Sequence, residues 1–359
     1  MSGLRYGIVD SFPTSMVLER QRFNWNDCYN SFALALYGAM KYSNKSLNLT
    51  QALLYTGQAF AINTDTFVGP MDVFGDGGLI REALDHLGFE MEVLHANLYG
   101  GAWNEDMAEE ALDMIRESIQ NGIAVVSWNL DNYEHGLIYG YDDERRILNI
   151  HDINKRNGGE LRYEEFGRRP RNGTPIEPEL FVLVIRKRNE PPHLNVTRYT
   201  EIEDASYRSA LRTALSIAIR HIADEGSEGS RRKNGIAAIN AWITAFEDGT
   251  AHSFFTSYNL LWITSSRQYV VPFFSQSAIT HCMSIQDNTL QQLMLQASEH
   301  YMASYRAWIR LREMFPFPKS ADPTDPELKA AALIMLREAR DAEVAGLGTL
   351  RDIVEHLAK

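Results

Sequence analysis

The sequence predicts an α+β domain followed by a mostly α-helical one, and three observations carry that expectation. Between Phe89 and Arg186, short runs rich in Val, Ile, Leu and aromatic residues are bounded by turn residues, as strands are. Helical patterns precede most of these runs, and helices followed by a largely antiparallel sheet is the α+β order. Beyond about Ala205 no strand-like run recurs, and the segments there read as helices. The polar stretch Lys187-Arg188-Asn189-Glu190-Pro191-Pro192-His193 separates the two patterns, so the expected domains are residues 1–190 and 200–359.

Each element has its own local reason. Asp27 is a good helix N-cap ahead of the apolar run from Ser31 to Tyr37, which predicts a helix from Cys28 to about Lys41. Residues 47–61 read as a second helix with apolar positions at Leu53, Leu54, Ala59 and Phe60. Gly75-Asp76-Gly77-Gly78 is a turn that feeds a helix over 79–87, stopped by Gly88. Residues 89–94 alternate with period two, as a strand does, and 105–121 form an amphipathic helix closed by Gly122. Strands follow at 123–128, 136–141 and 146–150, the last two joined as a hairpin by Asp142-Asp143-Glu144-Arg145, and a final one at 179–186. The second half predicts helices at 206–223, 235–246, 289–314 and 326–359, with a polar surface loop at 224–234. Tyr258, Trp262, Tyr269, Phe273 and Phe274 mark an aromatic region expected to be helix–helix core.

Composition limits the function classes. The 359 residues carry a net charge of -12, against the basic face that nucleic-acid binding needs. No apolar run approaches the roughly 20 residues of a membrane span, and the N-terminus shows no signal-peptide pattern. Two cysteines build no disulfide framework and fit a reducing, cytoplasmic setting. No metal or cofactor is expected. His281 and Cys282 are adjacent and diverge, Glu299-His300 completes no zinc-binding pair, and Gly75-Asp76-Gly77-Gly78 lacks the Lys-Ser/Thr ending of a phosphate loop. Arg168-Arg169-Pro170-Arg171 sits among Gly, Asn and Pro and reads as a solvated loop.

Cys28 is the sharpest signal. A thiol in the first turn of a helix meets unpaired N–H groups and a positive dipole end, both of which favour thiolate. Downstream lie His135 beside a strand and Asp152 at the end of the next, 17 residues later. Cysteine as nucleophile, histidine as base and carboxylate as orienter is the logic of a catalytic triad. The oxyanion of acyl transfer would need donors: the backbone N–H of Cys28, with Gln21, Asn24 and Asn26 as side-chain candidates. The plainer alternative makes Cys28 a small core hydrophobe and His135 a satisfied structural group.

Asn26-Asp27-Cys28, the strand Gly122-Ile123-Ala124-Val125-Val126-Ser127-Trp128 and His135-Gly136-Leu137-Ile138-Tyr139-Gly140-Tyr141-Asp142 resemble the papain-like fold of bacteriocin-processing cysteine peptidases. More specifically they resemble the N-terminal domain of the butirosin-biosynthesis acyltransferase family, where a mostly helical domain follows. The resemblance covers about residues 15–190 and implies a papain-like cysteine-peptidase fold ahead of the helical domain. It also implies acyl transfer from a carrier-protein thioester to an amine through acyl-Cys28, with His135 as base and Asp152 as the acid after the hairpin. The expected partners are an acyl carrier protein and a small-molecule amine acceptor. The peptidases carry Gln six residues before the cysteine, whereas this chain has Arg22 there and Gln21 one place earlier. A cysteine peptidase or amidase of the same fold, and a non-catalytic binding protein with a vestigial triad, are the alternatives. The helical half has three roles open to it: covering the cleft, shaping the acceptor pocket, or forming a homodimer.

Overall fold

The structure is a computed structural model that describes residues 12–43, 47–71, 77–96, 104–168, 178–188, 204–223 and 232–359. In chain order its first elements are β1 (Ser15–Val17), α1 (Ser31–Tyr42), α2 (Leu49–Tyr55), β2 (Asn63–Thr64), α3 (Gly77–His86), β3 (Phe89–Ala96) and α4 (Glu105–Gln120). Next come β4 (Val125–Trp128), β5 (His135–Asp142), β6 (Ile147–His151), β7 (Gly159–Arg162) and β8 (Leu180–Lys187). The remainder is α5 (Asp204–Ala223), β9 (Lys233–Asn234), α6 (Gly235–Asp248), α7 (Ser253–Arg267), α8 (Val270–Ser277), α9 (Met283–Ile285), α10 (Asn288–Met314) and α11 (Pro326–Leu357). A π turn, Ala278–Cys282, joins α8 to α9. The fold is therefore mixed α and β, with an antiparallel sheet and a helical C-terminal region. Four sequence readings fall wholly or partly outside the described residues: the turn at 75–76, the arginines at 169 and 171, the boundary residues 189–193 and the loop at 224–231.

The described chain forms two units that interleave along the sequence. One comprises Met1–Asn26, Leu34–Lys45 and Glu90–Lys187; the other comprises Asp27–Ala33, Ser46–Phe89 and Arg188–Lys359. The division thus differs from a single boundary near residue 190. The physical reason is burial: Cys28, Ala33, Leu53, Leu54 and Phe60 share one apolar core with Tyr207, Leu211, Phe273 and Tyr301.

In the sheet unit the strand order is β3-β8-β4-β5-β6-β7, and β1 pairs with β5. β1 joins β5 at residues 140–142, beyond the last residue that β4 reaches. α4 begins where Asn104 accepts the N–H groups of Asp106 and Met107. Its Ala111, Ile115 and Ile119 pack with Val125, Ile138, Ile150, Val182 and Val184 on one sheet face. Strand alternation sends Val126, Trp128, His135 and Leu137 to the other face, since Trp128 lies opposite His135 and Val126 opposite Leu137. α1 crosses that second face closely at Gly38, where an added Cβ would come within 2.5 Å of Leu137 Cδ1.

The helical unit is tied at its centre by a buried ion pair. The side chains of Arg267, last in α7, and Glu343 in α11 are 1% and 2% exposed. Arg267 Nε donates to Glu343 Oε1 at 2.8 Å, and its two terminal nitrogens donate to the carbonyls of Ala59 and Phe60. Ser304 Oγ of α10 donates to the same carboxylate oxygen at 2.6 Å. The rings of Phe60 and Tyr301 lie over the guanidinium at 5.7 Å each. Trp262, Phe273 and Phe274 of the predicted aromatic region are buried in the two helical cores. Among the described residues no helix is long and apolar enough to cross a membrane.

Candidate functional site

Cys28 belongs to the helical unit, and its turn is built differently from the sequence expectation. Asn30, not Asp27, caps α1: its Oδ1 accepts the Ala33 N–H at 3.0 Å while its Nδ2 donates to Gln58 Oε1 at 3.1 Å. The helix accordingly starts at Ser31, and Cys28 stands two residues ahead of the cap rather than in the first turn. Its surroundings come from the last turn of α7. The thiol donates to the Ser265 carbonyl at 3.6 Å, with Ser265 Oγ at 3.8 Å and Ser266 Oγ at 4.0 Å. Ser265 Oγ also accepts the Tyr29 N–H at 3.0 Å. Gln268 Nε2 and the Tyr269 hydroxyl both donate to the Asp27 carbonyl, at 3.2 and 2.7 Å, and hold the turn in place.

These contacts set the state of the sulfur. Cys28 is 1% exposed, and burial pushes its thiol pKa up. The Asn30 backbone N–H and the hydroxyls of Ser265 and Ser266 pull the other way without offsetting it. The last turn of α7 is also a carbonyl end, whose partial negative charge opposes a thiolate. The resting group is a protonated thiol, the reverse of the state that a helix N-terminus favours. Iodoacetamide at pH 7 is therefore expected to label Cys28 of the folded protein at least about tenfold more slowly than a free thiol. Peptide mapping checks this, and selective alkylation at pH 5–6 would overturn it.

His135 and Asp152 lie in the sheet unit. His135 opens β5, is buried, and has its pKa driven down to about 3 by burial and then by the charge of His95. Its ring meets Trp128 at 4.8 Å and Phe181 at 5.6 Å, both edge-on. His95 of β3 lies on the far strand of this row, 5.4 Å from Phe181, with Nε2 3.4 Å from Glu179 Oε1. Sequence reading missed His95 and Glu179, because only the order β3-β8-β4-β5 brings them beside His135.

Asp152 does not orient that imidazole. Its Oδ1 accepts the N–H groups of Asn154 and Lys155 at 2.8 and 2.7 Å, which makes it the cap of its own turn. Leu137 pairs with His151, so Gly136 lies beside Asp152, and a Cβ built on Gly136 would meet Asp152 Cβ at 2.8 Å. Asp152 and His135 therefore occupy opposite faces of the hairpin. Burial raises the Asp152 pKa. The neighbouring His151 shares the face of Leu137; it accepts the Trp25 indole N–H at 2.9 Å, and burial holds its pKa near 4.

The three oxyanion candidates, Gln21, Asn24 and Asn26, fall in the sheet unit. Gln21 donates its backbone N–H to the Tyr42 hydroxyl at 3.2 Å. Asn24 Oδ1 accepts the Asn26 N–H at 3.1 Å, a local turn, and both residues are exposed. The donors that do reach the sulfur, at Asn30, Ser265 and Ser266, were not anticipated. Asn30 has a sequence signal, a cap-type residue immediately before the apolar run; the two serines, 237 and 238 positions away, have none. Among the described residues no group of three or more His, Cys, Asp or Glu is placed to hold a metal ion. Comparison with protein-family models gives no match, and comparison with curated proteins gives none either.

Proposed function

We propose that the chain is a cysteine-dependent acyltransferase with a papain-like first domain, taking an acyl group from a thioester donor and passing it to an amine. What supports this reading is the resemblance of Asn26-Asp27-Cys28, the strand over 122–128 and His135–Asp142 to the butirosin-biosynthesis acyltransferase family, with Cys28 as nucleophile and His135 as base. In this reading the Cys28 thiol attacks the carbonyl carbon of the donor and His135 is the base that takes its proton. As the C–Sγ bond forms, the donor's C–S bond breaks and its thiolate takes the proton back from the imidazolium. The amine then attacks acyl-Cys28: the C–N bond forms, the C–Sγ bond breaks, and the amine proton returns to Sγ by way of His135.

The test is incubation with a simple acyl thioester, read by intact mass and peptide mapping. Wild type is expected to gain one acyl group on Cys28, Cys28→Ala none, and His135→Ala to acylate about 10²–10⁴ times more slowly. Equal acylation of wild type and Cys28→Ala would sink the reading. The burial of Cys28 favours a second one, a binding protein whose cysteine is core; under it, Cys28→Ala keeps full biological activity.

A further inference from the structure

We infer that the outer face of the α10–α11 hairpin is a docking surface for a second copy of this chain, joined as an antiparallel four-helix dimer. A groove of about 860 Å³ runs along it, lined by Met302, Tyr305, Arg306, Ile309 and Glu313 of α10 and Glu338 of α11. Leu295, Met302 and Ile309 follow one another at intervals of seven residues. Leu295 stays 39% exposed and Ile334, on α11 one turn before Glu338, 59%. A seven-residue apolar period on the outside of a helix already packed on its inner side is the seam of a second helix pair.

The charges identify the occupant. Arg306 and Glu313 lie seven residues apart on one helix face, centred on Ile309 and Arg310. A two-fold axis through that centre runs the two α10 helices antiparallel. It sets Arg306 of each copy beside Glu313 of the other and Ile309 beside Arg310, with the two Ile309 side chains adjoining across the axis. A patch that carries both signs about its own centre is self-complementary, which an isologous interface requires. Arg310 and Glu338 pair across the hairpin and flank the seam. The area also suffices: 27 residues of α10 extend about 40 Å, and two helices side by side present roughly 800 Å², the share of one partner in a standard interface.

Sedimentation of the full chain between about 1 and 100 μM tests this. The expected result is a dimer whose dissociation constant rises at least about 100-fold in Ile309→Glu. Arg306→Glu and Glu313→Arg each bring like charges together and weaken it about tenfold, while the two combined restore it to within about threefold. Arg306 is exposed, so its variant tests the interface even where Ile309→Glu misfolds. A monomer at the top concentration, or a dimer indifferent to Arg306→Glu, overturns the proposal. Failure of the combined variant to recover overturns the antiparallel register.

Discussion

Replacing Glu343 with Leu while Arg267 remains is expected to cost about 3–5 kcal/mol, a large part of the 5–15 kcal/mol typical of a folded domain. The cost arises because a guanidinium 1% exposed would keep its charge with no carboxylate to answer it. Two of its donor groups would still reach the Ala59 and Phe60 carbonyls, and Ser304 would lose its acceptor. Arg267→Met alone should cost a similar amount, since Glu343 would then be the stranded charge. The combined Arg267→Met/Glu343→Leu variant should recover most of the loss, because well-packed apolar side chains replace a desolvated pair at little net cost. Urea unfolding followed by circular dichroism measures all three. Single variants that lose less than about 1 kcal/mol would mean that water reaches the pair.

Acid should weaken the sheet unit well before its carboxylates titrate. His135 binds its proton near pH 3 when folded but near 6.5 when unfolded, so across that window the unfolded chain holds the extra proton. Stability therefore falls as pH drops from 6.5 towards 3. His151, held near 4, acts in the same direction between 6.5 and 4. Asp152 has the opposite sign: its raised folded pKa gives stability that is full below its unfolded value of 3.8 and is lost as pH rises through the folded one. It therefore works against the histidines as pH rises through that folded value. Between pH 7 and 4.5 the loss expected from His135 alone is about 3 kcal/mol, because one extra proton on the unfolded chain costs the fold roughly 1.4 kcal/mol for each step of one in pH. Urea midpoints across that range check it, with His135→Gln flattening the profile. A flat wild-type profile would show that the imidazole is hydrated.

Much of this architecture was legible in the chain because its signals are local. α4 is announced by Asn104 ahead of Glu105-Asp106 and closed by Gly122, and β4, β5, β6 and β8 appear as Val/Ile/Leu runs between turn residues. Where the reading failed, a long-range contact decided. Asp27 and Asn30 are both cap-type residues, and the hydrogen bond from Asn30 to Gln58 accompanies the one actually used. α2 stops at Tyr55 rather than continuing to residue 61, with Gly57 at a φ of 74° just beyond it. α7 is buried from Thr256 to Arg267 almost without a break except at Tyr258, so it shows no polar face and no period to read. Asp152 sits at the right distance from His135 along the chain, but the pairing register assigns it the wrong face. For the site, the residue types were visible and their partners were not.

The interleaving of the two units has a consequence during synthesis. Cys28 leaves the ribosome early, yet the serines that enclose it follow 237 residues later. At roughly 5–20 residues per second, the nascent chain carries that sulfur unshielded for about 12–50 s. Throughout the interval it titrates as an ordinary thiol, near pH 8.5, and meets oxidants and alkylating agents that the finished fold excludes. Damage to this residue should therefore track the translation rate rather than the age of the mature protein.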